Sequence, residues 1–470
     1  MGTFASAVEI ASAVRSRAIS PVEVLDECLG QVDKLNPALN AVIWRNDEEV
    51  RAEAQALADA IVSGVVEPGP FAGVPIPIKD LTAVEGWPVT YGSFGAPQGP
   101  SAEGELVTEL LRAAGFLLCG RTNTPEFGPL TVAENSRYGI TRNPWELQRS
   151  PGGSSGGASS AVAAGMFPVA HANDGGGSIR IPASCCGLVG LKPARARVPA
   201  RVPGWFGLAV EGVVCRTVAD AAAILDCISG PDLLSWENAP APQRPFAAEI
   251  GAPPGRLRFA LCVTSALGVP VEAAPRAAVD AVGRLLEGLG HHVETLDEDV
   301  FDPAAIGPFL DVINTGYADY PGVDWSNVEP HNAVGHAAGQ AIDGLTVVTA
   351  LHALQHESRA IVARWGRDFD VLVTPTMSIE PPVAGAVLAE AHAHPEGPPA
   401  TALAMAAFTA AFNITGQPAV SLPLHWSDAG LPVGVQFVGG PWQEALLLRV
   451  ASQLEQASPW SERRPPLSSP

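Results

Sequence analysis

The chain has 470 residues, 47% of them hydrophobic and 16% charged, so it is long and apolar enough to bury a large globular core. Its formal net charge of −21 opposes binding to nucleic acid and to anionic membranes, because the phosphates of both would repel it. We therefore expect neither partner, and a small neutral or apolar molecule as the ligand.

The first predicted elements in chain order are two helices. Ser20-Pro21-Val22-Glu23 is a capping box with proline at the first helical position, and apolar residues follow it at helical spacing. A second helix is predicted over residues 47–62.

Strand-like apolar runs then alternate with alanine-rich helices, for example those over residues 218–228 and 274–289. This alternation predicts an α/β fold whose sheet is covered by helices on both faces. Two segments rich in proline, alanine and glycine, 235–254 and 380–399, are predicted to be loops or a subdomain edge. The strand-like runs are residues 73–78, 116–119, 167–170, 188–191, 257–263, 371–374 and 433–438.

Two glycine-flanked serine clusters lie close together in the sequence. The first, residues 152–157, reads GGSSGG and has no side-chain bulk to cover its hydroxyls. The second, residues 174–180, places three consecutive glycines directly before Ser178. Successive backbone N–H groups can converge there on one point, which is what an oxyanion hole requires.

A serine hydroxyl is a poor nucleophile until a base takes its proton. His171 is the only histidine near the two serine clusters, but lysine is the stronger candidate. The chain has three lysines, Lys34, Lys79 and Lys192, among its 28 basic residues. Lys79 ends the apolar run 71–78, where burial would lower its pKa toward neutrality, as a lysine base needs.

Each of these motifs also has another interpretation. Residues 152–157 alone are typical of a flexible linker, and they also fit G-x-S-x-G, in which Ser154 would be the nucleophile with His and Asp partners. Lys79 alone could form a structural ion pair. His352 and His356 lie one helical turn apart, but HALQH lacks the glutamate of H-E-x-x-H, so we expect no zinc there. The combination of motifs favours serine catalysis.

The chain resembles the amidase signature hydrolases. The resemblance rests on GVPIPIKDL around Lys79, on the glycine- and serine-rich segment, on GLVGLKP, on EGVVCRTVADAA from Glu211 and on FNITGQPAVSLPL from Phe412. It implies a single domain over residues 1–470, with a central mixed, twisted sheet between helices. Within it we expect N-terminal helices in 1–65, the catalytic core in 66–230, a variable substrate-side region in 231–400 and a C-terminal return to the core in 401–470.

The resemblance also implies a role for each residue of the site. Ser178 is expected to be the nucleophile, Ser154 the intermediate serine with a cis peptide bond from Gly153, and Lys79 the terminal base. No metal or cofactor is expected. The expected oxyanion-hole donors are Gly175, Gly176, Gly177 and Ser178, and the expected supporting residues are Ser155, Asp174 and Arg180. Glu126, in TNTPEFG, matches a position near the site, where we expect a structural role.

Within the family, the motifs look most like those of 6-aminohexanoate-cyclic-dimer hydrolases and bacterial urethanases. This predicts hydrolysis of uncharged hydrophobic amides or carbamates through an acyl- or carbamoyl-enzyme, with a homodimer allowed. The alternatives are the amidase subunit of a tRNA-dependent amidotransferase and a catalytically silent binding protein. Two departures from the family are Gly175, where a bulkier residue is usual, and Ala194, where threonine is common. Aromatic residues that could line a substrate pocket or pack in the core are Trp205, Phe206, Tyr317, Tyr320 and Trp325.

Localisation follows from cysteine usage and from the N-terminus. Seven cysteines, an odd number without disulfide-framework spacing, fit a reducing compartment. The N-terminal segment lacks the basic start and continuous apolar core of a secretory signal. No uninterrupted apolar run approaches the ~18 residues of a membrane helix. These features predict a cytoplasmic protein, and the alanine-rich, arginine-over-lysine composition predicts a bacterial one.

Overall fold

The computed structural model describes residues 4–64 and 67–468. The predicted N-terminal region 1–65 therefore includes residues 1–3 and 65, which lie outside the described residues. No helix in the described ranges is both long and apolar enough to cross a bilayer.

Helices and strands alternate along most of the chain. The strands are β1 (Val42–Trp44), β2 (Pro75–Lys79), β3 (Leu117–Thr122), β4 (Glu134–Asn135), β5 (Gly139–Ile140), β6 (Val169–Asp174), β7 (Val189–Lys192), β8 (Val210–Cys215), β9 (Arg258–Cys262), β10 (His292–Leu296), β11 (Val371–Pro375), β12 (Ala419–Trp426) and β13 (Pro432–Val438). The helices are α1 (Ala7–Arg15), α2 (Pro21–Leu39), α3 (Asp47–Ser63), α4 (Leu106–Ala113), α5 (Gly156–Ala163), α6 (Arg180–Cys186), α7 (Gly204–Gly207), α8 (Val218–Ile228), α9 (Ala273–Gly288), α10 (Ile306–Thr315), α11 (Pro330–Ala341), α12 (Gly344–Val362), α13 (Ala386–Ala393), α14 (Ala400–Ala406), α15 (Ala411–Ile414) and α16 (Glu444–Ala457).

The main sheet has eight strands in the order β10-β9-β11-β13-β12-β7-β8-β6. The pairs β10/β9 and β9/β11 are parallel, and the remaining pairs are antiparallel. The sheet is therefore mixed, as predicted. A separate three-stranded sheet, β1-β3-β2, carries Lys79 at the end of β2.

Helices cover both faces of the main sheet because its strands alternate their side chains between two cores. Along β8, Val213 packs in a core cluster with residues of α8, α9 and α16, whereas Val214 packs in a second cluster with residues of α5 and α6. Successive strand side chains point to opposite faces, so both faces are buried against helices. This confirms the predicted α/β architecture.

The local helix signals act as expected. Ser20 caps α2, its capping box with Glu23 is complete, and Pro21 is the first helical residue. The predicted helices over 47–62, 218–228 and 274–289 correspond to α3, α8 and α9.

A helix and several strands differ from the sequence-based prediction. The segment 380–399, predicted to be a loop or a subdomain edge, contains the helix α13. Prolines and glycines at its ends flank an alanine-rich stretch that forms this helix. Strand β12 was not predicted because Pro423 lies inside it, and its pairing with β13 is irregular between Leu422 and His425. Strands β8 and β10 were also not predicted.

Candidate active site

Lys79 lies at the end of β2, a strand buried at every position. Its side chain is 0% exposed, and its Nζ lies 2.8 Å from Ser154 Oγ and 2.6 Å from Asn173 Oδ1. Burial lowers the pKa of Lys79 from 10.5 to about 7, although the carboxylates of Glu211 and Asp174 oppose the shift. A substantial fraction of the amine is therefore uncharged near neutral pH.

Each of the two serines lies just before a helix. Ser154 is two residues ahead of the first residue of α5, Ser178 is two residues ahead of the first residue of α6, and their Oγ atoms are 2.9 Å apart. The peptide bond between Gly153 and Ser154 is cis. A Cβ atom at Gly153 would lie 2.3 Å from the backbone of Val132, so only glycine fits at that position. The structure thus places Lys79, Ser154 and Ser178 in one hydrogen-bonded row.

The glycine run before Ser178 differs from the prediction in one respect. The N–H of Gly177 donates to Asp174 Oδ1 at 2.8 Å, so it is already committed to a buried carboxylate. Of the four predicted oxyanion donors, the Gly177 N–H is thus already engaged, and the N–H groups of Gly175, Gly176 and Ser178 stay a prediction. The sequence could not predict which N–H is engaged, because three adjacent glycines are equivalent until the folded loop brings one of them to Asp174.

Asp174 and Arg180 form a buried ion pair that holds this loop, and both side chains are 0% exposed. Arg180 donates through Nε and Nη2 to the two carboxylate oxygens at 2.9 and 2.8 Å. Burial opposes ionisation of Asp174, but Arg180 outweighs it and holds the pKa of that carboxyl below its usual range. The pair acts as a structural clamp, consistent with the supporting role expected of it.

The C-terminal part of the chain completes the clamp. Asn413 Nδ2 donates to the backbone carbonyl of Asp174 at 2.8 Å, and Asn413 Oδ1 accepts from Arg180 Nη2 at 2.7 Å. Thr409 Oγ1 donates to the carbonyl of Gly176 at 2.6 Å. No role was predicted from the sequence for these two residues or for Asn173, although Asn413 lies inside the FNITGQPAVSLPL motif.

Ser155 and His171 support the row without joining it. The N–H of Ser155 donates to the Ser178 carbonyl at 3.3 Å, and its Oγ donates to the Asn173 carbonyl at 3.2 Å. His171 Nδ1 accepts from the Lys79 N–H at 3.4 Å, while Nε2 lies 2.8 Å from Glu211 Oε2. Both ring nitrogens are therefore engaged away from the serines, which disfavours His171 as the base.

A cavity of about 470 Å³ opens beside Ser178. Ser154 and Ser178 both line it, but Ser154 is only 2% exposed, whereas Ser178 is half-buried. A ligand in the cavity would therefore meet the hydroxyl of Ser178 first.

The aromatic residues named from the sequence divide into three groups. Trp205 and Tyr320 line the cavity together with Tyr91 and Phe127, which were not predicted. Tyr317 and Trp325 pack behind that wall, with ring centroids 5.4 Å apart. Phe206 is 57% exposed and does not line the cavity.

The cavity wall is acidic. Its charged lining residues, among those that the structure describes, are Glu105, Glu211, Glu237, Asp319 and one basic residue, Arg195. Arg195 donates to the carbonyls of Gly207, Asn413 and Ile414, so its guanidinium is largely used to hold backbone. Burial, and then the nearby Glu211, raise the pKa of Glu105 to about 7.

The remaining residues named from the sequence lie away from this chemistry. Glu126 is buried and accepts from the Glu329 N–H and from Asn332 Nδ2, both at 2.7 Å, which is a structural role. His352 and His356 lie on α12, outside the cavity lining. Every cysteine in the described ranges is free.

Known proteins resemble this chain in both sequence and fold. A family model described as Amidase matches residues 23–309 and 325–448. The 6-aminohexanoate-cyclic-dimer hydrolase of Pseudomonas sp. (strain NK87) is 36% identical, covering 98% of this chain and 96% of that protein. A solved structure of 6-aminohexanoate cyclic dimer hydrolase complexed with substrate superposes with a TM-score of 0.92, at 34% identity over 100% of both chains. A bacterial aryl acylamidase structure superposes with a TM-score of 0.86, at 28% identity over 98% of this chain and 97% of that chain.

These matches cover nearly the whole chain, and they agree in both sequence and fold. The chain therefore belongs to the amidase signature family, hydrolases that act on amides.

Proposed function

We propose that this protein is a serine amidohydrolase that cleaves uncharged hydrophobic amides or carbamates, with Ser178 as nucleophile, Ser154 as proton relay and Lys79 as base. The observation that carries the proposal is the continuous row from Lys79 Nζ to Ser154 Oγ at 2.8 Å and on to Ser178 Oγ at 2.9 Å, ending at the cavity.

In the first step the Ser178 oxygen attacks the substrate carbonyl carbon. The hydroxyl hydrogens rotate so that Ser178 gives its proton to Ser154 and Ser154 gives its own proton to the free amine of Lys79. The negative charge that develops on the carbonyl oxygen is stabilised by N–H groups from Gly175, Gly176 and Ser178. Asn173 Oδ1, 2.6 Å from Lys79 Nζ, orients the amine.

In the second step the C–N bond breaks. The proton held by Lys79 returns through Ser154 to the leaving nitrogen, because an amine cannot depart as its anion. Water then attacks the carbonyl carbon of the acyl-enzyme and gives a proton through Ser154 to Lys79. The bond between that carbon and Ser178 Oγ breaks, and the proton returns through Ser154 to Ser178 Oγ as the acid is released. A carbamate would be attacked at the same carbonyl carbon, and the product acid would lose carbon dioxide.

The cavity supports the proposed substrate class. Its wall combines four aromatic side chains with four carboxyl groups and one arginine, Arg195, whose guanidinium is hydrogen-bonded to backbone carbonyls. A carboxylate substrate would therefore find no available positive charge there. Apolar surface buried there contributes about 25 cal/mol per Å². The relatives named for the cyclic dimer of 6-aminohexanoate and for aryl acylamides support amides with apolar flanks.

The test is covalent labelling of the isolated chain with a fluorophosphonate, followed by mass spectrometry of the labelled peptide. We expect label on Ser178, and we expect Ser178→Ala to lose both label and hydrolysis of a neutral anilide while its circular dichroism spectrum stays unchanged. The matched control is Ser159→Ala on α5, because the Ser159 hydroxyl is buried with no hydrogen-bond partner among the described residues.

The labelling also separates the alternatives. Label on Ser154 with Ser178 untouched would contradict the assignment of the nucleophile. Label on Ser178 without hydrolysis of any amide by the isolated chain would instead favour the amidotransferase subunit, which needs a partner. Absence of both label and hydrolysis would favour a silent binding protein.

A further inference from the structure

A second group of chemically capable side chains lies outside the candidate active site. Glu329 precedes α11, His331 is its second residue, and His392 lies in the last turn of α13. One possible ligand atom from each residue lies within 4.8 Å of the other two. The three residues come from two elements that are about sixty positions apart in the sequence, so no short sequence motif identifies them.

The atoms that face one another in this group lack hydrogen-bond partners. Glu329 Oε2, both ring nitrogens of His331 and Nε2 of His392 are buried, and none has a partner within the described part of the chain. The side chain of Glu329 is 3% exposed and that of His331 is 9% exposed. Buried polar atoms are normally satisfied, so an unpartnered group of this kind requires an explanation.

The geometry suits a small divalent ion. Nε2 of His331 and Nε2 of His392 each lie 3.8 Å from Glu329 Oε2, which is too far for a hydrogen bond. Tetrahedral Zn²⁺ with bonds of about 2.0–2.1 Å needs ligand atoms about 3.3 Å apart. A shift of roughly half an ångström would bring either imidazole nitrogen to that spacing from Glu329 Oε2.

The surroundings favour positive charge and hold the carboxylate in place. Glu329 Oε1 accepts from the Ser136 N–H at 2.6 Å, which leaves Oε2 directed to the two imidazoles. The buried carboxyl groups of Glu126 and Glu134 lie on neighbouring segments. In the described ranges none of these three acids forms an ion pair with lysine or arginine. A metal ion would supply the missing positive charge.

We propose that Glu329, His331 and His392 form a binding site for a divalent transition-metal ion, with Zn²⁺ the best match to two imidazoles and one carboxylate. Water completes the coordination, since the side chain of His392 is 35% exposed and leaves the site open to solvent. The ion cross-links the start of α11 to the end of α13. Its role is structural, because the three ligands are not among the residues that line the active-site cavity.

The site is also connected to the cavity wall. The N–H of Glu329 donates to Glu126 Oε2 at 2.7 Å, and the next residue, Phe127, lines the cavity. Ordering α11 around an ion would thus support the aromatic side of the cavity. The binding of metal is nevertheless independent of hydrolysis, so it can be tested whether or not the proposed function holds.

The test uses the full chain, stripped with a chelator and titrated with Zn²⁺ by calorimetry, with bound metal counted by mass spectrometry. We expect one Zn²⁺ per chain at micromolar affinity or tighter, and a rise in Tm of about 2 °C or more at saturating metal. His331→Ala and His392→Ala should each bind at least about tenfold more weakly. His392→Ala is the safer variant for folding because that side chain is partly exposed.

The matched control is His394→Ala, since His394 is exposed just beyond the end of α13 and is not part of the group. It should bind Zn²⁺ as the wild-type protein does. Failure of the wild-type chain to bind near-stoichiometric Zn²⁺ would overturn the proposal. Equal binding by wild type and His392→Ala would also overturn it, because the ion would then lie elsewhere.

Discussion

Lys79 shows how a single residue acquires reactivity from its position. A lysine at a protein surface is almost wholly protonated at pH 7, but this one is enclosed by β2 and by the turn that carries Ser154. Burial penalises its charged form, and its pKa falls to about 7. The sequence predicted the direction of this shift from the apolar run before Lys79, and the structure supplies the same cause.

The pH dependence of activity follows from that shift. In the proposed mechanism the free amine of Lys79 is the active form, so protonation below pH about 7 should reduce kcat/KM, and kcat/KM should rise to a plateau above that pH. Lys79→Arg should lose about 10²–10⁴-fold in kcat/KM at every pH, because arginine keeps its proton. Lys34→Arg, at an exposed position on α2, is the control and should behave as wild type. Substantial activity in Lys79→Arg would remove lysine from the mechanism.

Gly175 is a second residue whose identity has a spatial reason. A Cβ atom there would lie 2.4 Å from Cζ3 of Trp205, so the indole occupies the space that a larger residue would need. Trp205 itself has a φ of 51°, and Gly316 leaves room for its other edge. The departure from the family at Gly175 is thus matched by Trp205 in the cavity wall.

This contact predicts a rescue experiment. Gly175→Ala should lower kcat/KM by at least about tenfold, because overpacking costs about 1–3 kcal/mol and would displace the donor loop or the indole. Adding Trp205→Ala should restore part of the lost kcat/KM. The double-mutant cycle should show a coupling free energy of about 1–3 kcal/mol between the two substitutions. Gly30→Ala on α2 is the control, because Gly30 lies outside the cavity lining and nothing lies within 4 Å of a Cβ built there. Additive effects of the two substitutions would show that the contact is not the cause.

At the scale of elements, the site depends on a clamp between α6 and the segment before β12. Arg180, the first residue of α6, holds Asp174 from β6 and also donates to the Thr409 carbonyl at 2.9 Å and to Gln436 Oε1 on β13 at 2.7 Å. One side chain therefore ties together helix α6, the strands β6 and β13 of the main sheet, and the segment that carries Thr409. The sequence indicated the Asp174–Arg180 pair because the two residues are close neighbours, but not its distant partners.

Breaking this clamp should be costly. Arg180→Ala leaves Asp174 buried without its counter-charge, which should lower the free energy of unfolding by about 3–5 kcal/mol. Arg51→Ala, which removes an exposed pair with Asp26, should change it by less than about 1 kcal/mol. Urea denaturation of both variants gives the comparison. If both variants lose a similarly small free energy of unfolding, the Asp174–Arg180 pair is not a clamp.

At the scale of the whole molecule, charge should select substrates. The net charge of −21 and the acidic cavity wall act in the same direction, against an approaching carboxylate. We expect a neutral anilide to exceed its analogue with a carboxylate on the acyl chain by at least tenfold in kcat/KM, a difference of about 1.4 kcal/mol. Added salt should reduce this difference in kcat/KM, because about 0.1 M salt screens interactions between charges more than roughly 10 Å apart.

Steady-state kinetics on both substrates at low and high salt provide the measurement. The neutral anilide is the internal control, since its kcat/KM should change little with salt. A preference for the carboxylate analogue would contradict the proposed substrate class, and it would leave the roles of Lys79, Ser154 and Ser178 untouched.

The sequence by itself predicted the α/β class, and it identified Lys79, Ser154 and Ser178 as the candidate catalytic side chains. It could do so because these features are written in short stretches: alternating apolar runs, two serine turns and a lysine at the end of a buried strand. Only the tertiary structure decided the rest, because contacts between distant segments leave no local pattern. It brought Asn413 and Thr409 to the Ser178 loop, committed the Gly177 N–H to Asp174 and gathered Glu329, His331 and His392.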